Sequence, residues 1–182
     1  MALTWMRQAA DRHGLVVVTE VMSEAEVDGV SAVADMLQIC SRNMQNFALL
    51  RAVGQMHKPV LLKRGMAATV EEWLLAGEHL LEAGASGVVY CARGISGFDP
   101  HTRNLLDLGA VALLTSVYKL PVVVDPSHAV GRRDLIPSLA KASLAVGASG
   151  LMIEAHVDPS KALSDGAQAL SPDTLSRLGF SR

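Results

Sequence analysis

Six short apolar, β-branched runs recur along the chain, starting near residues 16, 36, 60, 87, 122 and 150. Each is followed by a segment with helical periodicity. An interval of 20 to 35 residues holds one strand, one helix and their turns, so the pattern predicts βα units on a parallel sheet. The runs are almost continuously apolar, which suits strands covered on both faces. With 182 residues, 50% of them hydrophobic, the chain can bury a sizeable core, and residues 1–182 read as a single domain.

Capping residues mark the helices. Leu3 to His13 reads as an amphipathic helix stopped by Gly14. Ser23 with Glu26, and Thr69 with Glu72, have the spacing of capping boxes, opening helices that run to about Ala34 and Glu82. Further helices are expected over residues 44–53, 102–118 and 134–146, and a short one after Ser171-Pro172. The strands are expected over residues 15–21, 36–41, 59–62, 87–91, 122–124 and 150–153. Residues 158–166 read as loop.

Six units leave two architectures open. A (β/α)8 barrel uses about 250 residues for eight strands, roughly 30 per unit, and 182 residues supply six at that rate. An open doubly wound sheet would carry a glycine-rich turn after its first strand. Here that turn is Thr19-Glu20-Val21-Met22, with no glycine. Every strand ends instead in a charged or amide residue, as when all strands ring one site. The expected class is α/β, an incomplete TIM barrel with about six βα units.

Composition excludes several functions. A net charge of −2 implies no nucleic-acid-binding surface, and no apolar run reaches the roughly 18 residues that span a bilayer. The first twelve residues have charges and no apolar centre, unlike a signal peptide. Cys40 and Cys91 both fall in expected buried strands, which suits reduced thiols in a cytoplasmic protein.

The strand ends supply the chemistry: Glu20; Arg42 and Asn43; Lys63 and Arg64; Arg93; Asp125 and His128; Glu154 and His156. Cations converging on one mouth would bind a small polyanion, and planar guanidinium forks suit phosphate or carboxylate oxygens. His128, Glu154 and Asp165 form a second set, an imidazole and two carboxylates able to hold Mn, Fe, Co or Zn. Lys63 also admits a Schiff-base reading, with phosphate pairing as the alternative. Past the fifth strand, Asp125, Ser127, His128, Arg132, Arg133 and Asp134 crowd into ten residues.

Four segments carry a specific resemblance. Gln38-Ile-Cys-Ser-Arg-Asn-Met-Gln-Asn-Phe47, Lys58-Pro-Val-Leu-Leu-Lys-Arg-Gly65, Asp125-Pro-Ser-His-Ala-Val-Gly-Arg-Arg-Asp134 and Ala162-Leu-Ser-Asp-Gly-Ala-Gln168 resemble the type Iβ 3-deoxy-D-arabino-heptulosonate 7-phosphate (DAHP) synthases. These belong to a superfamily shared with KDO8P synthase. The resemblance covers residues 14–170 and implies a metal-dependent condensation of phosphoenolpyruvate with erythrose 4-phosphate, the first step of the shikimate pathway. Carbon 3 of phosphoenolpyruvate attacks the aldehyde, water attacks carbon 2, and the carbon–oxygen bond to phosphate breaks.

By motif, Arg42, Lys63 and Arg93 would hold phosphoenolpyruvate, with Arg64, Arg132 and Arg133 in the substrate-binding set. His128 and Lys63 would be catalytic. His128, Glu154 and Asp165 would be three of four metal ligands. The family's fourth ligand, the cysteine of a Gly-Pro-Cys motif, and its Lys-Pro-Arg-Thr aldose-phosphate loop do not occur in these residues. Ala92 stands where the family commonly has Glu, and Cys40 where it has Gly. The resemblance therefore leaves two other functions open: a non-catalytic homologue that binds phosphoenolpyruvate or a partner subunit, and a condensation on another aldose phosphate. Unpaired strand edges would favour a homo-oligomer or a partner.

Overall fold

A computed structural model describes residues 2–179, and the chain divides into two compact units, one ending at Cys91 and the other beginning at Ala92. Helix α1 (Ala2–His13) opens the first unit and stops at Gly14, as the sequence predicts. Four parallel strands follow: β1 (Val18–Glu20), β2 (Met36–Ile39), β3 (Pro59–Lys63) and β4 (Gly87–Ala92). β1 pairs with β2, β2 with β3 and β3 with β4, and Lys63 stands in register with Cys91. Val60, Leu61 and Leu62 are buried in succession, so β3 is covered on both faces.

Helices α2 (Val27–Ser31), α3 (Phe47–Gly54) and α4 (Val70–Glu82) connect these strands. Leu49, Leu50, Val53, Trp73 and Leu80 bury their side chains in the core of this unit. Two starts differ from the sequence pattern. Ser23 makes no capping hydrogen bond, and a 3-10 turn at Glu24–Glu26 precedes α2. Glu26 instead accepts from the Met22 N–H, one residue before Ser23. In the next unit of sequence, a 3-10 turn at Ser41–Asn43 uses up the expected start, and Asn46 caps α3 by accepting from Leu49.

The second unit carries β5 (Val122–Val124) and β6 (Gly150–Leu151), paired in parallel, with helices α5 (Leu108–Ala112), α6 (Pro126–Val130), α7 (Ile136–Ala145) and α8 (Pro172–Ser176). The helix expected from Thr102 begins only at Leu108, because residues 95 and 105 exchange backbone hydrogen bonds in an antiparallel bridge. Asp107 then caps α5 through the Ala110 N–H, and α5 runs on into a π-helical turn at Leu113–Val117. A 3-10 turn at Pro159–Lys161 interrupts the expected loop.

The largest departure lies after β5. The stretch between β5 and the helix expected from residue 134 forms a further short helix, α6, with Asp125 as N-cap and Pro126 at the first position, where its missing N–H costs nothing. Gly131 ends this helix in the left-handed region at φ 66°. No helix among the described residues is long and apolar enough to cross a membrane. Neither Cys40 nor Cys91 forms a disulfide; Cys91 is buried in β4, and Cys40 lies half-buried just past the end of β2.

Thr69 and Glu72 form the complete capping box of α4: Thr69 Oγ1 accepts from the Glu72 N–H at 3.1 Å, and Glu72 accepts from the Thr69 N–H at 2.7 Å. The Thr69 N–H holds the Glu72 carboxyl below its ordinary value of 4.5. Thr69→Ala is therefore expected to lower stability by about 1 kcal/mol. The Glu72 contribution is complete above pH 4.5 and lost as pH falls through the depressed value. Urea unfolding at pH 7 reads the lost cap, and at pH 3 both proteins are expected to have lost stability through Glu72, since Thr69→Ala keeps the backbone N–H.

Candidate active site

Asp125 is fully buried at the end of β5 and serves two neighbours at once. One carboxylate oxygen accepts the His128 backbone N–H at 3.0 Å, capping α6. The other lies 2.8 Å from His128 Nδ1. With Asp125 ionised, Nδ1 carries the proton and donates it to the carboxylate, which leaves the Nε2 lone pair facing away. The sequence places Asp125 at a strand end without a separate role. Its signal is an Asp-Pro pair three residues before a histidine, the spacing of an N-cap and its N3 residue.

Nε2 of His128 lies 3.8 Å from Glu154 Oε2 and 3.9 Å from Asp165 Oδ2. Ligand atoms from the three residues all fall within 4.8 Å of one another. Two ligands about 2.1 Å from one ion at a tetrahedral angle stand roughly 3.4 Å apart, so small side-chain adjustments would close this set on a cation. One imidazole and two carboxylates is a donor set for a borderline divalent ion. The residues fit a metal.

Each ligand is braced by the chain. The Glu154 N–H donates to the buried Ser127 hydroxyl at 3.0 Å, and the Glu154 carbonyl accepts from Leu170. Asp165 sits in the left-handed region at φ 55°. Its Oδ1 accepts from Gln168 Nε2 at 2.5 Å and lies 3.5 Å from Arg103, leaving Oδ2 toward His128. Nothing in the sequence pattern marks Arg103 or Gln168 for these contacts. His156, also at a strand end, is turned to the Asp158 backbone and lies outside the cluster.

The cations fall in both units. In the first, Lys63 and Arg64 are buried at the end of β3. The Arg64 guanidinium lies over the Trp73 ring at 5.8 Å, with Nε donating to the Ala68 carbonyl at 3.0 Å. Arg42 lines a pocket of about 180 Å³ with Ser41, Gln45, Gly65 and Ala68. In the second, Arg93 is 7% exposed, and its Nε has no hydrogen-bond partner among the described residues. A buried guanidinium with an unsatisfied donor is a site for an anion. Arg132 pairs with Asp134 through two nitrogens, which holds the Asp134 carboxyl below its usual range. Arg133 donates to the carbonyls of Gly166 and Ala167.

Parallel βα units with a His, Glu and Asp cluster able to hold a metal and buried cations past strand ends define an α/β chain of the barrel-forming class, whose sites gather at the carboxyl ends of strands. Comparison with known proteins is more specific. Residues 1–180 match the model of the DAHP synthetase I family. A phospho-2-dehydro-3-deoxyheptonate aldolase of Thermotoga maritima is 47% identical over 176 residues, covering 97% of this chain and 52% of that protein. A 2-dehydro-3-deoxyphosphooctonate aldolase of Bordetella petrii is 34% identical, covering 92% of this chain and 64% of that protein. A truncated form of 3-deoxy-D-arabino-heptulosonate 7-phosphate synthase from T. maritima superposes with a TM-score of 0.94 at 46% identity, covering 97% of this chain and 67% of that one.

This chain belongs to the DAHP synthetase I family. It spans about half the length of the Thermotoga aldolase it matches. The α/β class with about six βα units of an incomplete barrel, expected from strand spacing, is met by that superposition.

The brace on the imidazole sets a test. His128→Ala is expected to abolish metal binding, and Asp125→Asn to weaken it about 10- to 100-fold, since an amide holds the Nδ1 proton less strongly. Titration calorimetry with Mn²⁺ reads both, and unchanged affinity in His128→Ala would remove the imidazole from the site.

Proposed function

We propose that this chain acts as a 3-deoxy-7-phosphoheptulonate synthase, a transferase condensing phosphoenolpyruvate with erythrose 4-phosphate and releasing phosphate. The observation that carries the reading is the braced set of His128, Glu154 and Asp165 within a family that performs this chemistry. In this reading Arg42, Lys63, Arg64 and Arg93 take the phosphate and carboxylate of phosphoenolpyruvate. The unsatisfied Nε of buried Arg93 supports an anion there. We also read residues 1–182 as one partial barrel domain.

His128, Glu154 and Asp165 hold a divalent metal, Mn, Fe, Co or Zn, which as a Lewis acid supplies polarisation of an aldehyde or water oxygen. Asp125 takes the Nδ1 side of His128 and so orients Nε2 toward Glu154 and Asp165, and Lys63 sets the orientation of the phosphoenolpyruvate anion. Erythrose 4-phosphate is favoured over the aldose of a phosphooctonate synthase, because identity to the heptonate aldolase is 47% against 34%. We place the protein in the cytoplasm, in keeping with two cysteines that form no disulfide. We also assign it a self-association or a partner subunit. Val18 in strand β1 is exposed, as are Val16 and Met22 beside it, and β1 has β2 as its neighbour in the first unit.

Phosphate release from phosphoenolpyruvate plus erythrose 4-phosphate is expected to need both substrates and Mn²⁺ and to stop with EDTA. Calorimetric binding of phosphoenolpyruvate without release would instead favour the non-catalytic homologue. Arg93→Ala is expected to weaken phosphoenolpyruvate binding about 10- to 100-fold, the loss of a charge-assisted hydrogen bond. Unchanged affinity would take Arg93 out of the anion site.

A further inference from the structure

Asp165 is a non-glycine residue at φ 55°, a conformation that persists only where its surroundings impose it. Its side chain supplies one third of the metal-ligating set, so the loop that bends it is part of the site. Glycine at 166 is required by packing: a Cβ there would stand 2.7 Å from the Pro159 carbonyl oxygen. The two backbone carbonyls that follow Asp165, those of Gly166 and Ala167, are both taken by one side chain. Arg133 donates from Nη2 to Gly166 and from Nε to Ala167, the latter at 3.1 Å. Arg133 comes from the turn after α6, the helix that carries His128. One guanidinium fork thus ties the loop of one ligand to the segment that presents another.

We propose that Arg133 is a positioning residue for the metal ligand Asp165, fixing the strained loop so that Oδ2 faces His128. This rests on the metal reading of His128, Glu154 and Asp165. The role uses the planar geometry of the guanidinium, whose Nε and Nη2 reach two successive carbonyls at once; an ammonium lacks that fixed fork. Gln168 and Arg103 hold the other Asp165 oxygen, so the carboxylate is oriented by its side-chain partners and the backbone by Arg133. Arg132, one residue earlier, is paired with Asp134 and does not touch the loop. It serves as an internal control of equal charge.

The experiment is binding of Co²⁺ alone to the unsubstituted chain and to Arg133→Ala, Arg133→Lys and Arg132→Ala. Calorimetry reads affinity, and the visible absorption of bound Co²⁺ reads the ligand field. Arg133→Ala is expected to bind Co²⁺ at least about 10-fold more weakly, with an altered spectrum, at an unchanged thermal midpoint. Arg133→Lys recovers part of the affinity, and Arg132→Ala behaves as the unsubstituted chain. If the unsubstituted chain binds Co²⁺ and Arg133→Ala matches it in affinity and spectrum, the positioning role is overturned and the metal site stands. If the unsubstituted chain binds no Co²⁺, the metal reading fails and takes the positioning role with it. If Arg133→Ala unfolds, Arg133→Lys decides: full affinity and an identical spectrum in that variant overturn the need for a fork.

Discussion

The carboxylate of Asp125 is the interaction on which the candidate site depends. It is fully buried, and it satisfies the two groups beside it in one stroke, a helix N–H and the imidazole Nδ1 of His128. Without it the imidazole could rotate and exchange tautomers, and Nε2 would not be held toward the carboxylates. A buried charge of this kind is tolerated because it is hydrogen-bonded, and its partners are then fixed as firmly as it is. The first turn of α6 is too short to be stable by helix propensity alone. It forms because Asp125 caps it and because Ser127 and Ala129 are buried.

From this anchor the second unit reads as a scaffold for three ligands. Ser127, next to the anchor, takes the Glu154 N–H, so the end of β6 is tied to the start of α6. The Asp165 loop packs closely against Pro159 at Gly166 and is held by arginine and amide contacts. The first unit offers a different service. Lys63 and Arg64 are buried charges at the end of a strand covered on both faces. Arg64 lies against Trp73 and the Ala68 carbonyl, a packing and hydrogen-bonding role compatible with a charge held near an anion.

Much of this is legible in the sequence for physical reasons. Strand positions follow from β-branched runs such as Val122-Val-Val124, which forms β5 as expected. The Thr69 box is local chemistry and forms as written. His128 and Glu154 are legible as residue types past strand ends and Asp165 as a loop carboxylate, and the motif resemblance selects the same three. What escapes is tertiary. Ser23 loses its cap to a 3-10 turn, and the helix expected from Thr102 yields to an antiparallel bridge between Ile95 and Leu105, which no periodicity reports. The pairing of Arg133 with carbonyls 33 and 34 residues away is equally invisible, since carbonyls carry no sequence signal. Arg133 reads from sequence as one more cation for substrate.

The central claim is that His128, Glu154 and Asp165 form a preassembled metal site. Anomalous diffraction from crystals soaked in Mn²⁺, with data on both sides of the manganese edge, tests it most directly. The account predicts one strong anomalous peak bonded to His128 Nε2, a Glu154 oxygen and Asp165 Oδ2, with Asp125 still on Nδ1. A well-ordered crystal with no peak there, or with manganese held by other residues, would contradict it.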